Sequence, residues 1–172
     1  MGSISHIENG LPSTWSNDDF SFEIVVGPDR FAPWELSKFD GDGNQIGTTH
    51  QIGARQSNMT RTHLNSLDVA TLGTGEFAVT WSYSGGNSWG TSFGYVYLQV
   101  FDKYGNPSGP AEKIYDNKAE WRAFDASFEG TTAENVSVRI DTRDIYGNSS
   151  SSDIDVTGYL TDFYDISDVS DA

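Results

Sequence analysis

Three turns in the 172-residue chain share the form Asp-x-x-Gly-Asn: Asp40 to Asn44, Asp102 to Asn106 and Asp144 to Asn148. Calcium takes about six to eight hard oxygen ligands, and closely spaced Asp and Asn in a turn supply such oxygens. The run Asp40-Gly-Asp42-Gly-Asn44 opens like an EF-hand loop, but Gln45 stands where the turn glycine belongs and Gln51 where a bidentate Glu is needed. It is not an EF-hand. A second oxygen-rich group, Asp141, Asp144, Asp153 and Asp155, flanks one polar loop. Asp40, Asp42, Asn44 and these four aspartates are the candidate calcium ligands. The same turns have a plainer use, in which Asp opens the turn through its side chain and Gly and Asn take positive φ.

A different chemistry is offered by the loop Ser84-Gly-Gly-Asn-Ser-Trp-Gly-Thr-Ser-Phe-Gly94. Trp89 sits there among residues too small to bury an indole by themselves. An exposed aromatic face stacks on the apolar face of a sugar, and neighbouring polar groups then hydrogen-bond its hydroxyls. Trp89, Asn87, Ser88 and Tyr83 are the candidate ligand contacts. Alternatively, Trp89 covers a neighbouring unit's core.

Catalysis finds little in these residues. His50 and His63 lie in different elements, and no Gly-x-Ser-x-Gly, His-Glu-x-x-His, phosphate loop or dinucleotide fingerprint occurs. Among 25 carboxylates a glycosidase-like pair could be hidden, but nothing in the sequence selects one. The reading is therefore a non-enzyme, with a polysaccharide-acting enzyme as the remaining alternative.

Composition narrows the partners. A formal charge of −15 leaves no basic patch to replace phosphate counterions, which argues against nucleic acid and anionic membranes. It fits a protein that binds cations or uses charge to stay soluble. Cysteine is absent, which removes disulfides and thiolate metal sites together. No segment has the length and apolarity of a membrane-spanning helix. Met1-Gly-Ser is followed by no apolar leader, and the chain reads as an excised piece of a larger protein.

The elements that must position these residues are strands. Eighteen glycines with many Ser, Thr, Asn and Asp point to short strands joined by turns, and no helical stripe of useful length occurs. Phe77, Val79, Trp81 and Tyr83 alternate along one face, as a half-buried strand requires. Strands are expected at Leu67–Leu72, Phe77–Tyr83, Tyr95–Phe101 and up to Ile114. Residues 54–66 read as a connector, and Asp141 to Ser152 as a polar loop leading to a further run, Asp153–Leu160.

Phe20–Val26 and Val136–Ile140 line up with the Phe77 strand, and Phe39-Asp40 matches Phe101-Asp102. The repeat is about 55–60 residues, in three copies. The stretch LGTGEFAVTWSYSGG…GYVYLQVFDKYGNPSG resembles a repeat of large secreted, repeats-in-toxin-type calcium-binding proteins and adhesins of Gram-negative bacteria. The match is good over 75–109, fair over 15–53 and poor after 122. The resemblance implies a secreted or cell-surface protein with a binding or spacing role in adhesion, and it implies no known catalysis.

The expected fold is all-β and antiparallel. A disordered start at 1–10 precedes three four-stranded units at about 11–53, 64–116 and 122–168. Such meanders resemble propeller blades, and three cannot close a propeller alone. A homodimer, neighbouring repeat domains of a larger chain, or another closure is then implied. The alternative is a single β-sandwich of about eleven strands. The expected function is a calcium-stabilised module that recognises a glycan or peptide on a surface, or a structural spacer of an adhesin.

Overall fold

A computed structural model describes residues 4–6, 20–25, 32–53, 62–72, 75–86, 92–117, 121–132, 135–144 and 146–161. The described chain is all-β apart from one short helix, and its strands form three antiparallel sheets. The first joins β1 (Ile4–His6), β2 (Phe20–Val25), β3 (Trp34–Asp40) and β4 (Gln45–Ile52). The second joins β5 (Thr62–Leu72), β6 (Glu76–Gly86), β7 (Ser92–Phe101) and β8 (Glu112–Asn117). The third joins β9 (Trp121–Thr132), β10 (Asn135–Asp144) and β11 (Ser149–Asp155), and α1 (Thr157–Thr161) follows it. In every sheet each strand pairs with the next in sequence, so each is a simple meander. Among the described residues none of the sheets closes into a barrel. Among the described residues no helix is long and apolar enough to cross a membrane.

The second sheet is apolar on both faces, and strand alternation explains how. Phe77, Val79, Trp81 and Tyr83 of β6 join Val69 and Phe101 in one core, which they share with Phe22, Leu36 and Ile52 of the first sheet. The intervening Ala78 joins Ala70, Val96, Leu98 and Val100 in a second core, with Phe128, Val138 and Ile140 of the third sheet and Val156 and Leu160 after it. The first core is aromatic: the Phe77 and Phe101 rings stack 4.8 Å apart, and Phe22 tilts onto Phe77 at 5.0 Å. A bulge between Leu64 and Ser66 resets the β5 register against β6. Leu64 thereby faces the aromatic core, whereas Ser66 faces the third sheet.

The face turned to the third sheet carries small or polar residues on β6, Ala78, Thr80 and Ser82, all buried. They let β9 approach closely. The Ala126 N–H donates to Ser66 Oγ and the Phe128 N–H to Asp68 Oδ2, each at 2.8 Å. β9 is an edge of its sheet, so these side chains occupy ladder positions that would otherwise be unpaired.

On the other side, Lys38 ties the first sheet to the second. It falls on the same face of β3 as Leu36, is 2 % exposed, and donates to the carbonyls of Gly75 and Lys103. Burial lowers its pKa to about 8, against the opposing pull of Glu76 and Asp102.

Several expectations are corrected in detail. Ile4–His6, inside the stretch read as a disordered start, pairs with β2. Residues Thr62–Ser66, read as connector, belong to β5. The supposed polar loop Asp141–Ser152 is mostly hairpin, the ends of β10 and β11. Its Asp, Asn, Gly and Ser content disfavours strand, but pairing within the hairpin and with β9 overrides propensity. The run expected over Asp153–Leu160 breaks at Asp155, whose carboxylate accepts the Thr157 N–H at 2.9 Å and turns the chain into α1. The third sheet has three described strands rather than four. The sequence also suggests a strand at Trp15 and a closing strand after Thr161, and both lie outside the described residues.

Candidate functional site

The first Asp-Gly turn is held by its own carboxylate. Asp40 Oδ1 accepts the N–H groups of Asp42 at 3.0 Å and Asn44 at 2.8 Å, while the Asn44 amide reaches Oδ2 at 3.1 Å. Gly43 supplies the positive φ, +84°. Asp102 repeats the pattern between β7 and β8: it accepts from Tyr104 at 2.9 Å and Asn106 at 2.8 Å, with Gly105 at φ +82°. The Asn44 N–H and amide hold the Asp40 carboxyl below its ordinary range. At Asp102 burial pushes upward, but the Asn106 and Tyr104 donors and the Lys38 charge outweigh it. In both turns the opening aspartate's carboxylate holds the turn's own N–H groups.

The second group of candidate ligands is partly gathered. Asp141 on β10 sits opposite Asp125 of β9 and Ser151 of β11, and one step along, Arg139 sits between Ser127 and Asp153. Asp155 lies on the same outer face, opposite Ser137. The Ser151 hydroxyl and the Arg139 Nε, the latter 3.2 Å away, both donate to Asp141 and lower its pKa. Asp155 is committed to the start of α1, and the Thr157 hydroxyl and N–H lower its pKa. Asp144 ends β10 opposite Trp121. Among the described residues no three His, Asp or Glu side chains converge as a metal group.

The proposed ligand loop fares differently. Asn87, Ser88 and Trp89 lie outside the described residues. Tyr83 is 5 % exposed, in the core between the first and second sheets, where its ring meets Tyr97 edge-on at 5.7 Å. Burial pushes its hydroxyl pKa up to about 12. Alternation with Phe77, Val79 and Trp81 carries it inward. It is a packing residue here.

What the sequence reading missed is a groove of about 400 Å³ on the outer face of the third sheet. Asp125, Asp141, Thr142, Arg143 and Ser149 to Ser151 line it. The register brings Asp125, Asp141 and Ser151 side by side, with Arg143 and Ser149 paired next to them toward the hairpin turn. Within that turn Tyr146 is 83 % exposed. The signal was present: the odd-numbered positions of 125–129, 137–143 and 149–155 are polar without exception.

Chemically this face offers carboxylate acceptors, a guanidinium donor and hydroxyls that do both. Ser151 donates to Asp141, whose carboxylate this bond and Arg139 hold below its ordinary pKa, which makes it a weaker base. Compared with known protein families, curated proteins and solved structures, the chain matches none at a significant level.

Proposed function

We propose that the chain is a non-catalytic binding module of a secreted bacterial surface protein or adhesin, and that it engages its ligand, a glycan or peptide, through the outer face of the third sheet. The groove lined by Asp125, Asp141, Arg143 and the β11 serines carries this reading. Its charged groups and hydroxyls suit multiple hydrogen bonds, which is what recognition of a hydroxyl- or amide-rich ligand requires. A face-to-face stack of blade-like meanders supports it, because a second sheet that is apolar on both faces holds the outer sheets rigidly. The same feature favours that stack over a two-sheet sandwich.

Calcium enters as a stabiliser. With a formal charge of −15, and with Asp125 directly opposite Asp141, the folded chain gains from a divalent cation even without a closed cage. The alternative role, a spacer of an adhesin, is favoured by the polar outer face of the third sheet and by the buried Lys38 and Asp68 links that hold the sheets together.

A glycan and peptide array probed with and without calcium tests this. Binding that is lost in Asp141→Asn and Arg143→Ala supports the module. A folded chain that binds nothing on either array leaves the spacer. A melting curve unmoved by chelator removes calcium from the account.

A further inference from the structure

The groove and the turn beside it define the ligand more closely, granted that the third sheet's outer face is the binding surface. We infer that the groove takes an uncharged pyranose, stacked on Tyr146, with its hydroxyls on Asp125, Asp141 and Arg143.

Tyr146 is the most exposed of the large aromatic residues described, 83 % against 62 % for Tyr104 and 37 % for Tyr159. It lies in the turn that leaves β10 at Asp144 and enters β11 at Ser149, two residues which bracket it closely. Arg143 and Ser149, the last register pair before that turn, also line the groove. The turn that carries this exposed residue therefore adjoins one end of the groove. An aromatic ring at the rim of a polar cleft offers a flat apolar surface to the C–H face of a sugar ring.

The polar groups are spaced for the same ligand. Asp125 and Asp141 are cross-strand neighbours, roughly 5 Å apart at Cβ, and Arg143 stands one outward position along, about 7 Å away. Two acceptor-only carboxylates next to a donor-only guanidinium complement adjacent sugar hydroxyls, each of which donates and accepts. Ser151 already anchors the Asp141 carboxylate, so that acceptor is held in place before a ligand arrives.

Charge sets the class of sugar. Around the groove Asp125, Asp141 and Asp153 outnumber the nearby Arg139 and Arg143, and Arg139 is already paired with Asp141. An anionic polysaccharide meets net repulsion there, whereas a neutral hexose does not. A peptide is the poorer fit. It would be taken most simply by main-chain pairing at a strand edge rather than on a polar face.

The experiment measures binding of the full chain to neutral hexose polysaccharides, a glucan, a galactan and a mannan, with polygalacturonate as the anionic comparison. Wild type is set against Tyr146→Ala, Tyr146→Phe, Asp141→Asn and the control Tyr104→Ala, each checked for an unchanged melting curve. The expected result is binding to a neutral polymer and none to the polyuronate. Tyr146→Ala should then weaken affinity about tenfold, Tyr146→Phe should retain it, and Tyr104→Ala should leave it unchanged. Carbohydrate binding that Tyr146→Ala leaves intact, or a preference for polygalacturonate, overturns this inference while the binding reading stands. Absence of any carbohydrate binding by wild type, with peptide binding lost in Asp141→Asn, overturns the sugar and keeps the face. No binding of either kind overturns both.

Discussion

The carboxylate of Asp68 on β5 accepts the backbone N–H of Phe128 on β9 at 2.8 Å, across 60 residues of sequence. Its other oxygen accepts the Val69 N–H at 3.0 Å. One buried aspartate thus stitches the second sheet to an edge strand of the third. Burial nevertheless raises its pKa to about 6, against the pull of both N–H donors. Solvation lost outweighs hydrogen bonds gained.

A stability consequence follows with a definite sign. The folded pKa of Asp68 lies above its unfolded value near 3.8, so the native state holds the proton more tightly. Its contribution is full below about pH 4 and is lost as the pH rises through 6, to the extent of roughly 3 kcal/mol. Denaturation of wild type and Asp68→Asn at pH 4, 5, 6 and 7 should show the difference between them growing in favour of wild type toward acid. Asp68→Ala also strands the buried Phe128 N–H and should cost about 1–3 kcal/mol at pH 4. Parallel pH profiles for wild type and variant would refute the assignment.

Lys38 behaves as the mirror case. Its folded pKa of about 8 lies below the ordinary 10.5, so the native state releases its proton first. Stability from this group is present in full above 10.5 and is lost as pH falls through 8. Relative to Lys38→Met, wild type should become more stable between pH 8 and 10, by at most about 3 kcal/mol. Urea melts across that range measure it. The amine still donates to the carbonyls of Gly75 and Lys103 when neutral, so the links survive the titration.

How much of this was legible depends on whether a residue answers to its neighbours or to distant chain. The alternation Phe77, Val79, Trp81, Tyr83 is local, and every one of the four is buried where the period puts it. The Asp-x-x-Gly-Asn turns at Asp40 and Asp102 are local too, and glycines at positive φ close them. The strand ends at Asp141–Asp144 and Ser149–Ser152 are not local. Pairing of β10 with β9 on one side and with β11 on the other makes extended structure of residues that alone favour a loop. Asp68 looks like a surface residue until the facing sheet is present. The groove was missed for the same reason: Asp125 and Asp141 become neighbours only through register.

The turn carboxylates give an acid-side prediction. Asp102 has a lowered folded pKa, so what it adds is present above the ordinary aspartate range and is lost as pH falls through the lower folded value. Asp102→Ala should cost roughly 1 kcal/mol at pH 7 by removing the acceptor of Tyr104 and Asn106. It should also lower the Lys38 pKa further, since Asp102 is one of the charges that raise it. Titration of Lys38 by NMR in wild type and Asp102→Ala checks that coupling, and an unmoved Lys38 would sink it.

A close backbone approach of the first sheet to the second gives an internally controlled test. Gly43 and Gly47 both have positive φ, +84° and +72°. A methyl at Gly43 meets nothing within 4 Å, whereas one at Gly47 falls 2.2 Å from the carbonyl oxygen of Tyr104. Gly47 lies where β4 bulges against β3, between the pairs Leu36–His50 and Lys38–Ile46, and the bulge presses its backbone onto the turn held by Asp102. Both alanine variants bear the left-handed backbone cost of about 1–2 kcal/mol. Gly47→Ala must in addition push one backbone off another, which adds roughly 1–3 kcal/mol because no flexible side chain can give way. Chemical denaturation of the two variants side by side should therefore place Gly47→Ala clearly below Gly43→Ala. Equal losses would mean that β4 and the Tyr104 turn are not in contact in solution, and the docking of the first sheet would have to be redrawn.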